Sequence, residues 1–436
     1  MTVVPETTVV REALHDGSHC EFTCPPNWNG YLITQPDLWF TTLDEEVQRW
    51  LHDHGFASVR HSRDVRQWDV AQGLRNQDEA IRRHAELYGM PSAGIVVWGG
   101  SMGGLITRLL IEKDPDRYAG AVPMDGGGAG TLATFDRGLD MAFVITTLIA
   151  ADQGIRLIGA SDPASEIAAL SRAVETALQD PAGRARLALA AAVGGMPAWS
   201  DPTLPRPDAG DPESELDQLA RGLLTTLPQA YGYRVNLEQV VGGVFVSNEG
   251  VDYTRTLIDS GDLGRVQQLY DIAGISLEGD LSVLADTPRI TADPAAISQV
   301  TQDLSVDGRV SCPVLVLKAI GDPDAVTAEE HTYAASVRAS GAAELVRWAW
   351  VDTPGHLNFT VAERITALTV LLDRIRSGGW GDSTTPAALT RRAEELAADD
   401  RYDFSVYFCA EKAPGKDFGR SRFVPFSPRP YGGAAR

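Results

Sequence analysis

The sequence predicts an α/β fold: a mostly parallel central sheet flanked by helices on both faces, with a mainly helical cap and a C-terminal extension. Three observations predict it. Short apolar runs alternate with helix-period patterns through residues 20–128. The alternation then stops for some 180 residues and resumes near residue 313. Between Ile95 and Leu105 an apolar run meets a Gly-rich turn that opens directly into a helical pattern.

In order, residues 7–14 and 20–24 read as two strands around the turn signal His15, Asp16, Gly17 and Ser18. Residues 31–34 read as a third strand, ending at Gln35, Pro36 and Asp37. Thr42 and Glu45 have capping-box spacing for a helix carrying Val47, Trp50 and Leu51, stopped by Gly55. Residues 56–59 form the next strand, and Asp69 caps a helix with Leu74, Ile81, Ala85 and Tyr88 on one face. After the strand at 95–98 and its helix, residues 118–124 read as a strand ending at Asp125. Residues 313–319, a helix over 328–339 and residues 345–351 complete the pattern. Thr360 and Glu363 then cap a helix carrying Ile365, Leu368, Leu371 and Leu372.

These elements divide the chain into a first core segment (1–129), a helical cap or lid insertion (130–308), a second core segment (309–377) and an extension (378–436). Helical stretches at 139–149, 166–178, 184–193 and 214–223 populate the insertion. A separate helical domain is the alternative. The extension, with a polar helix near 386–398 and aromatic runs at 404–408 and 423–431, is expected to pack on the core.

A net charge of −21 repels nucleic acid and anionic membranes. The longest uncharged apolar stretches, near 141–151 and 187–196, are too short to span a bilayer. The first residues show no basic region followed by an apolar run, so a cytoplasmic location is expected, with a mature secreted form left open. Cys20, Cys24, Cys312 and Cys409 form neither a metal-ligand spacing nor a disulfide framework; a Cys20–Cys24 bridge is the alternative to free thiols. His52 and His54 close a helix, where His suits the dipole, and are not read as a metal pair. No cofactor or metal is expected, and the oligomeric state is open.

Ile95–Leu105 carries the chemistry. Gly99, Gly100, Ser101, Met102 and Gly103 form Gly-x-Ser-x-Gly on a strand-turn-helix junction, a nucleophile elbow. Small residues are needed where strand and helix nearly touch. The amides after the serine open a helix, where developing negative charge is favoured. A phosphate loop would need Gly-Lys-Ser/Thr, which does not follow; a dinucleotide fold would use Asp125 as its acidic residue. Asp322 directly follows one later strand and His356 lies in the loop after the last, so both reach the sheet edge that holds Ser101. Asp324, in the same loop as Asp322, is the alternative acid.

With Ser101, Asp322 and His356 in that order, each following a strand, the sequence resembles the α/β-hydrolase superfamily over residues 20–128 and 306–376. The resemblance implies Ser101 as nucleophile, His356 as general base and then acid, and Asp322 as its orienting carboxylate. It also implies the Met102 amide as one oxyanion donor. The sequence departs from the pattern after the third strand, where many members carry His-Gly and this chain has Gln35, Pro36 and Asp37. Pro36 has no N–H, so the second donor falls to the Gln35 amide or side chain, Leu38 or Trp39. Trp39, Phe40 and Gly100 are candidate walls of the substrate pocket, with core packing as the alternative for the two aromatics, and His61 and Trp68 border it or serve a structural role.

The expected activity is therefore hydrolysis of a small-molecule carboxylic ester through an acyl-enzyme; thioesters and amides fit the same chemistry. An acyltransferase or cyclase using the same residues, and a non-catalytic binding protein on the same scaffold, are the alternatives.

Overall fold

Eight short apolar runs become the strands of one sheet in the computed structural model, which describes residues 7–38, 42–62, 68–208, 210–405 and 422–430. β1 (Thr8–Ala13) and β2 (His19–Cys24) form an antiparallel hairpin. Its turn is held by Ser18, whose N–H and Oγ both donate to the Asp16 carboxylate. β2 pairs antiparallel with β4 (Ala57–His61), with Cys20 opposite His61. From β4 onward the sheet is parallel, through β3 (Tyr31–Gln35), β5 (Gly94–Gly100), β6 (Gly120–Met124), β7 (Val314–Gly321) and β8 (Val346–Pro354). The strand order is β1-β2-β4-β3-β5-β6-β7-β8, so both core segments contribute and β5 is central.

Because side chains alternate across a strand, β5 feeds two cores. Ile95 and Val97 pack on one face with α2 (Val70–Tyr88) and α3 (Met102–Lys113); Val96 and Trp98 pack on the other with α1 (Thr42–Asp53) and α13 (Val361–Ser377). The first core continues without a break into the insertion: Leu105 and Leu109 share it with Phe135, Leu139, Leu187 and Leu219. The insertion and this face of the sheet thus share one hydrophobic core.

Between β6 and β7 the chain runs through α4 (Gly130–Leu148), α5 (Pro163–Ala177), α6 (Pro181–Val193), α7 (Pro212–Val241), α8 (Tyr253–Ser260), α9 (Leu263–Ala273), α10 (Leu277–Asp286) and α11 (Pro294–Leu304). Two of these exceed their sequence signal. α4 starts nine residues earlier than its apolar period suggests. α7 passes through Pro228, which the local pattern reads as a breaker; buried Leu223, Leu227 and Tyr231 on either side hold it helical, so packing overrides the lost hydrogen bond. β8 likewise runs on through Thr353 and Pro354, expected as loop, because Gly321 of β7 still pairs with Pro354 past a bulge.

α12 (Thr327–Ala339) follows β7, and α14 (Pro386–Ala397) packs on α13. In the extension, Phe423 bridges Val351 antiparallel, and Phe404 and Phe423 are buried in the second core. Residues 406–421, which include Cys409, lie outside the described residues; Cys20, Cys24 and Cys312 are free thiols. No helix of the described residues is long and apolar enough to cross a membrane.

One buried ion pair ties α3 to α12. Arg108 donates to Glu330 at 2.7 Å, lies over the Tyr333 ring, and neither charge reaches solvent. Trp348 donates its indole N–H to the other Glu330 oxygen. Replacing Arg108 alone by Met leaves a buried carboxylate without its cation. The expected loss is about 3–5 kcal/mol, read from the urea midpoint, and R108M/E330L together should cost less than R108M.

Candidate active site

Every non-glycine residue of the described chain with a left-handed backbone lies at one end of the sheet. Asp37 (φ 59°) follows β3, Ser101 (φ 57°) follows β5, Asp125 (φ 42°) follows β6, and Leu357 (φ 55°) is in the loop after β8. Such conformations cost free energy and persist where the surroundings over-determine them. Here they mark the carboxyl edge, where ligands of parallel sheets bind.

Ser101 sits between β5 and α3 with ψ −127° and makes no side-chain capping bond. Strand and helix approach so closely that a Cβ on Gly99 would collide with the Gly103 carbonyl, and one on Gly103 would collide with the Pro36 carbonyl. Gly103 thereby lets the Pro36–Asp37 turn lie against the first turn of α3. The first backbone bonds of that helix return to the Ser101 carbonyl from Gly104 and Leu105, so the Met102 and Gly103 amides are among its unpaired terminal donors.

His356 donates Nδ1–H to Asp322 Oδ2 at 2.9 Å, leaving Nε2 as the acceptor. Asp322 is fully buried; His356 keeps a fifth of its side chain exposed. Asp322 Oδ1 accepts the Asp324 and Ala325 amides at 2.8 and 3.1 Å. Asp324 instead turns to the insertion, accepting the Thr226 hydroxyl at 2.8 Å. Arg137 of α4 donates to the Pro323 and Asp324 carbonyls. Helices α4 and α7 therefore clamp the loop that carries Asp322.

The chain neighbours of Ser101 and His356 meet one another. Leu357 methyl carbons lie where a Gly100 Cβ would touch them, and the Ser101 amide donates to the Met124 carbonyl. The next residue, Asp125, accepts the Leu357 amide on Oδ2 at 2.8 Å. Burial works to lower the proton affinity of His356; the charge and hydrogen bond of Asp322, helped by Asp324 and Asp125, win and hold it up to about 9. Burial likewise pushes Asp322 up, but His356 and Lys318 overcome it and keep its carboxyl well below the usual range.

Two buried residues, Lys318 and Asp125, were given no part in this site by the sequence. Lys318 donates Nζ to Asp125 Oδ1 at 2.8 Å, to Asp322 Oδ2 at 2.9 Å and to the Ala325 carbonyl. Asp125 Oδ1 also accepts the Ala319 amide at 2.9 Å. A lysine inside an apolar strand run was the available signal, since lysine is almost never fully buried unpaired. Asp125, Asp322 and His356 form the one grouping of three ligand-type side chains among the described residues. Lys318 bridges its two carboxylates, which is the chemistry of an ion-pair network.

The remaining candidates fall differently. The Gln35 side chain is fully buried; its Oε1 accepts from Gln48, and its Nε2 has no hydrogen-bond partner among the described residues. The Leu38 N–H donates to the His61 carbonyl and is committed. The His61 ring is fully buried between Ser62 O and Gln77 Oε1, each 3.3 Å away. Trp68 packs against Phe135 and Tyr233 of the insertion. Trp39 and Phe40 lie outside the described residues.

No protein-family model matches the sequence. The o-phthalyl amidase of Xanthobacter agilis is 30% identical over 413 residues, covering 87% of this chain and 90% of that protein. Among solved structures, feruloyl esterase B from Aspergillus oryzae is similar over 85% of this chain and 80% of its own, at 13% identity and a TM-score of 0.42. The esterase Est1E from Butyrivibrio proteoclasticus is similar over 85% of this chain and all of its own, at 12% identity and a TM-score of 0.37. With that amidase as a relative over most of both chains, and with this sheet order and elbow, the chain belongs to the α/β-hydrolase superfamily and is a hydrolase.

Proposed function

We propose that the chain cleaves a carboxylic amide or ester of a small molecule through an acyl-enzyme on Ser101. The observation that carries this reading is His356: its Nδ1 is bonded to a buried carboxylate, on a loop that touches the residue preceding Ser101. Nε2 takes the Ser101 proton as Oγ attacks the carbonyl carbon. The oxyanion develops toward the Met102 amide at the start of α3, an end of a helix that favours it. Collapse breaks the bond to the amine or alcohol, which leaves with the proton held by His356. Water then attacks the acyl carbon by the reverse route, giving the acid and free Ser101. Residues 130–308 serve as the lid, with Arg137 and Thr226 fixing its underside to the acid loop.

The amidase relative suggests the acyl group to try first, an ortho-phthalyl amide. The test is labelling of purified protein with a small fluorophosphonate and peptide mass mapping, alongside amine release from N-phthalyl amides and alcohol release from the matching esters. An adduct on Ser101 that is lost in His356→Ala supports the reading. Native protein that hydrolyses these substrates without any adduct on Ser101 overturns it.

The general base must be neutral to act. Since His356 holds its proton above the ordinary imidazole range, up to about 9, kcat/KM should fall as pH drops through that region, not below 6.5. A pH profile with an uncharged ester measures it; an acid limb at or below 6.5 contradicts the assignment.

A further inference from the structure

We infer that Asp125 and Lys318 act as one positioning unit, which locks the loops bearing Asp322 and His356 together and whose two charges act on the His356 imidazole in opposite directions. The inference deepens the proposed reading of the site and rests on it for its catalytic meaning.

The geometry is that of a frame. Lys318 spends its three ammonium protons on Asp125, Asp322 and the Ala325 carbonyl, so none is left for a substrate. It pins both ends of the acid loop, from Asp322 to Ala325. Asp125 spends Oδ1 on Lys318 and the Ala319 amide, and Oδ2 on the Leu357 amide. It therefore holds the left-handed residue next to His356. Through two side chains, the ends of β6 and β7 and the loop after β8 become one rigid edge. Apolar packing of the same volume would be no less stable than a buried ion pair, so stability alone does not account for a lysine and an aspartate at these positions.

The frame has an electrostatic consequence. Lys318 Nζ and His356 Nδ1 donate to the same oxygen, Asp322 Oδ2, each at 2.9 Å. A permanent cation two hydrogen-bond lengths from the imidazole disfavours the imidazolium. Asp125 acts with the opposite sign. The charged groups facing His356 are Asp322 and Asp324 from the loop after β7, Asp125 from the end of β6 and Lys318 from β7. Glu329 of α12, with Arg137 of α4 at 3.4 Å, lies in the next shell beyond Lys318. A bare Asp322–His356 pair with Asp125 and Asp324 beside it would hold the imidazole too firmly in its charged form. Lys318 offsets that pull, while Asp125 neutralises Lys318.

The two members must therefore act on His356 in opposite directions, which a purely structural role would not produce. The experiment is an NMR titration of histidine-labelled full-length protein, with the His356 signal assigned by its loss in His356→Gln. Lys318→Met is expected to raise the His356 pKa by about one to two units and Asp125→Asn to lower it, with K318M/D125N returning near the native value. Should Lys318→Met fail to fold, Asp125→Asn and the charge-balanced double variant still give the contrast, a downward shift against a value near native. Shifts of one sign in all variants, or no shift in either, overturn the inference. The titration needs no turnover, so it is separable from the acyl-enzyme reading. Opposite shifts in a protein that takes no fluorophosphonate would defeat only the nucleophile, and an adduct on Ser101 with unmoved titrations would defeat only the frame.

Discussion

Ser101→Ala and His356→Ala are each expected to lower kcat/KM by about a million-fold, and the double variant to lose no more than either alone, because nucleophile and base act as a unit. The protein should remain folded. Ser101 Oγ caps nothing at the start of α3, so its removal orphans no helix donor. Its backbone carries φ 57° and ψ −127°, a conformation that glycine adopts freely and other residues only under constraint. Ser101→Gly should thus abolish activity while raising stability by about 1 kcal/mol. The paired readout is an urea midpoint and a hydrolysis rate on the same preparation. An inactive variant that is also less stable would mean that the serine hydroxyl helps hold the elbow. A Ser101→Gly variant retaining a tenth of native activity would remove Ser101 from the nucleophile's role.

What the sequence made legible was the carboxyl edge. A parallel sheet turns strand-then-loop spacing into spatial neighbourhood, so Ser101, Asp322 and His356 could be assigned to one edge although 221 residues separate the first two. Local signals also carried the hairpin turn at Asp16 and the capping box of Thr360 and Glu363, each of which the structure contains. Less legible were features made by distant packing. Pro228 is a breaker to its neighbours in sequence and a buried helix residue's neighbour in the fold. Asp125 was readable as the end of a strand, but its partners Lys318 and Leu357 lie 193 and 232 residues away, and only Lys318 is marked locally, as a lysine inside an apolar strand run. Gln35 shows the same limit in reverse. Its place at the end of β3 recommended it as an oxyanion donor, but nothing local foretold that Gln48 on α1 would take its Oε1 and leave Nε2 buried without a partner among the described residues. The Pro36–Asp37 turn owes its closeness to α3 to a glycine, Gly103, that the elbow motif explains only as space for the strand.

The sharpest separation at the site is between two aspartates two residues apart. Asp322→Asn is expected to reduce kcat by about ten-thousand-fold, whereas Asp324→Asn should cost less than about ten-fold. The asymmetry follows from counting donors and acceptors. Asp322 is surrounded by donors alone: the Asp324 and Ala325 amides on Oδ1, and Lys318 and His356 on Oδ2. An asparagine at 322 must aim its NH2 at one of those pairs and cannot accept from either member. If the NH2 faces the imidazole, Nδ1 must give up its proton and Nε2 must take one, which removes the base from the atom that needs it. If it faces the loop, two buried amides lose their acceptor and the loop shifts. Asp324 has no such bind. Its Oδ1 accepts one hydroxyl, from Thr226, and an asparagine oxygen can do the same. The lost charge would only relax the hold on the His356 proton, moving the acid limb of kcat/KM slightly toward lower pH. Comparable rate losses in the two variants, or the larger loss in Asp324→Asn, would transfer the orienting role to the loop as a whole or to Asp324. The expected order instead places it on the one carboxylate that has no acceptor to spare.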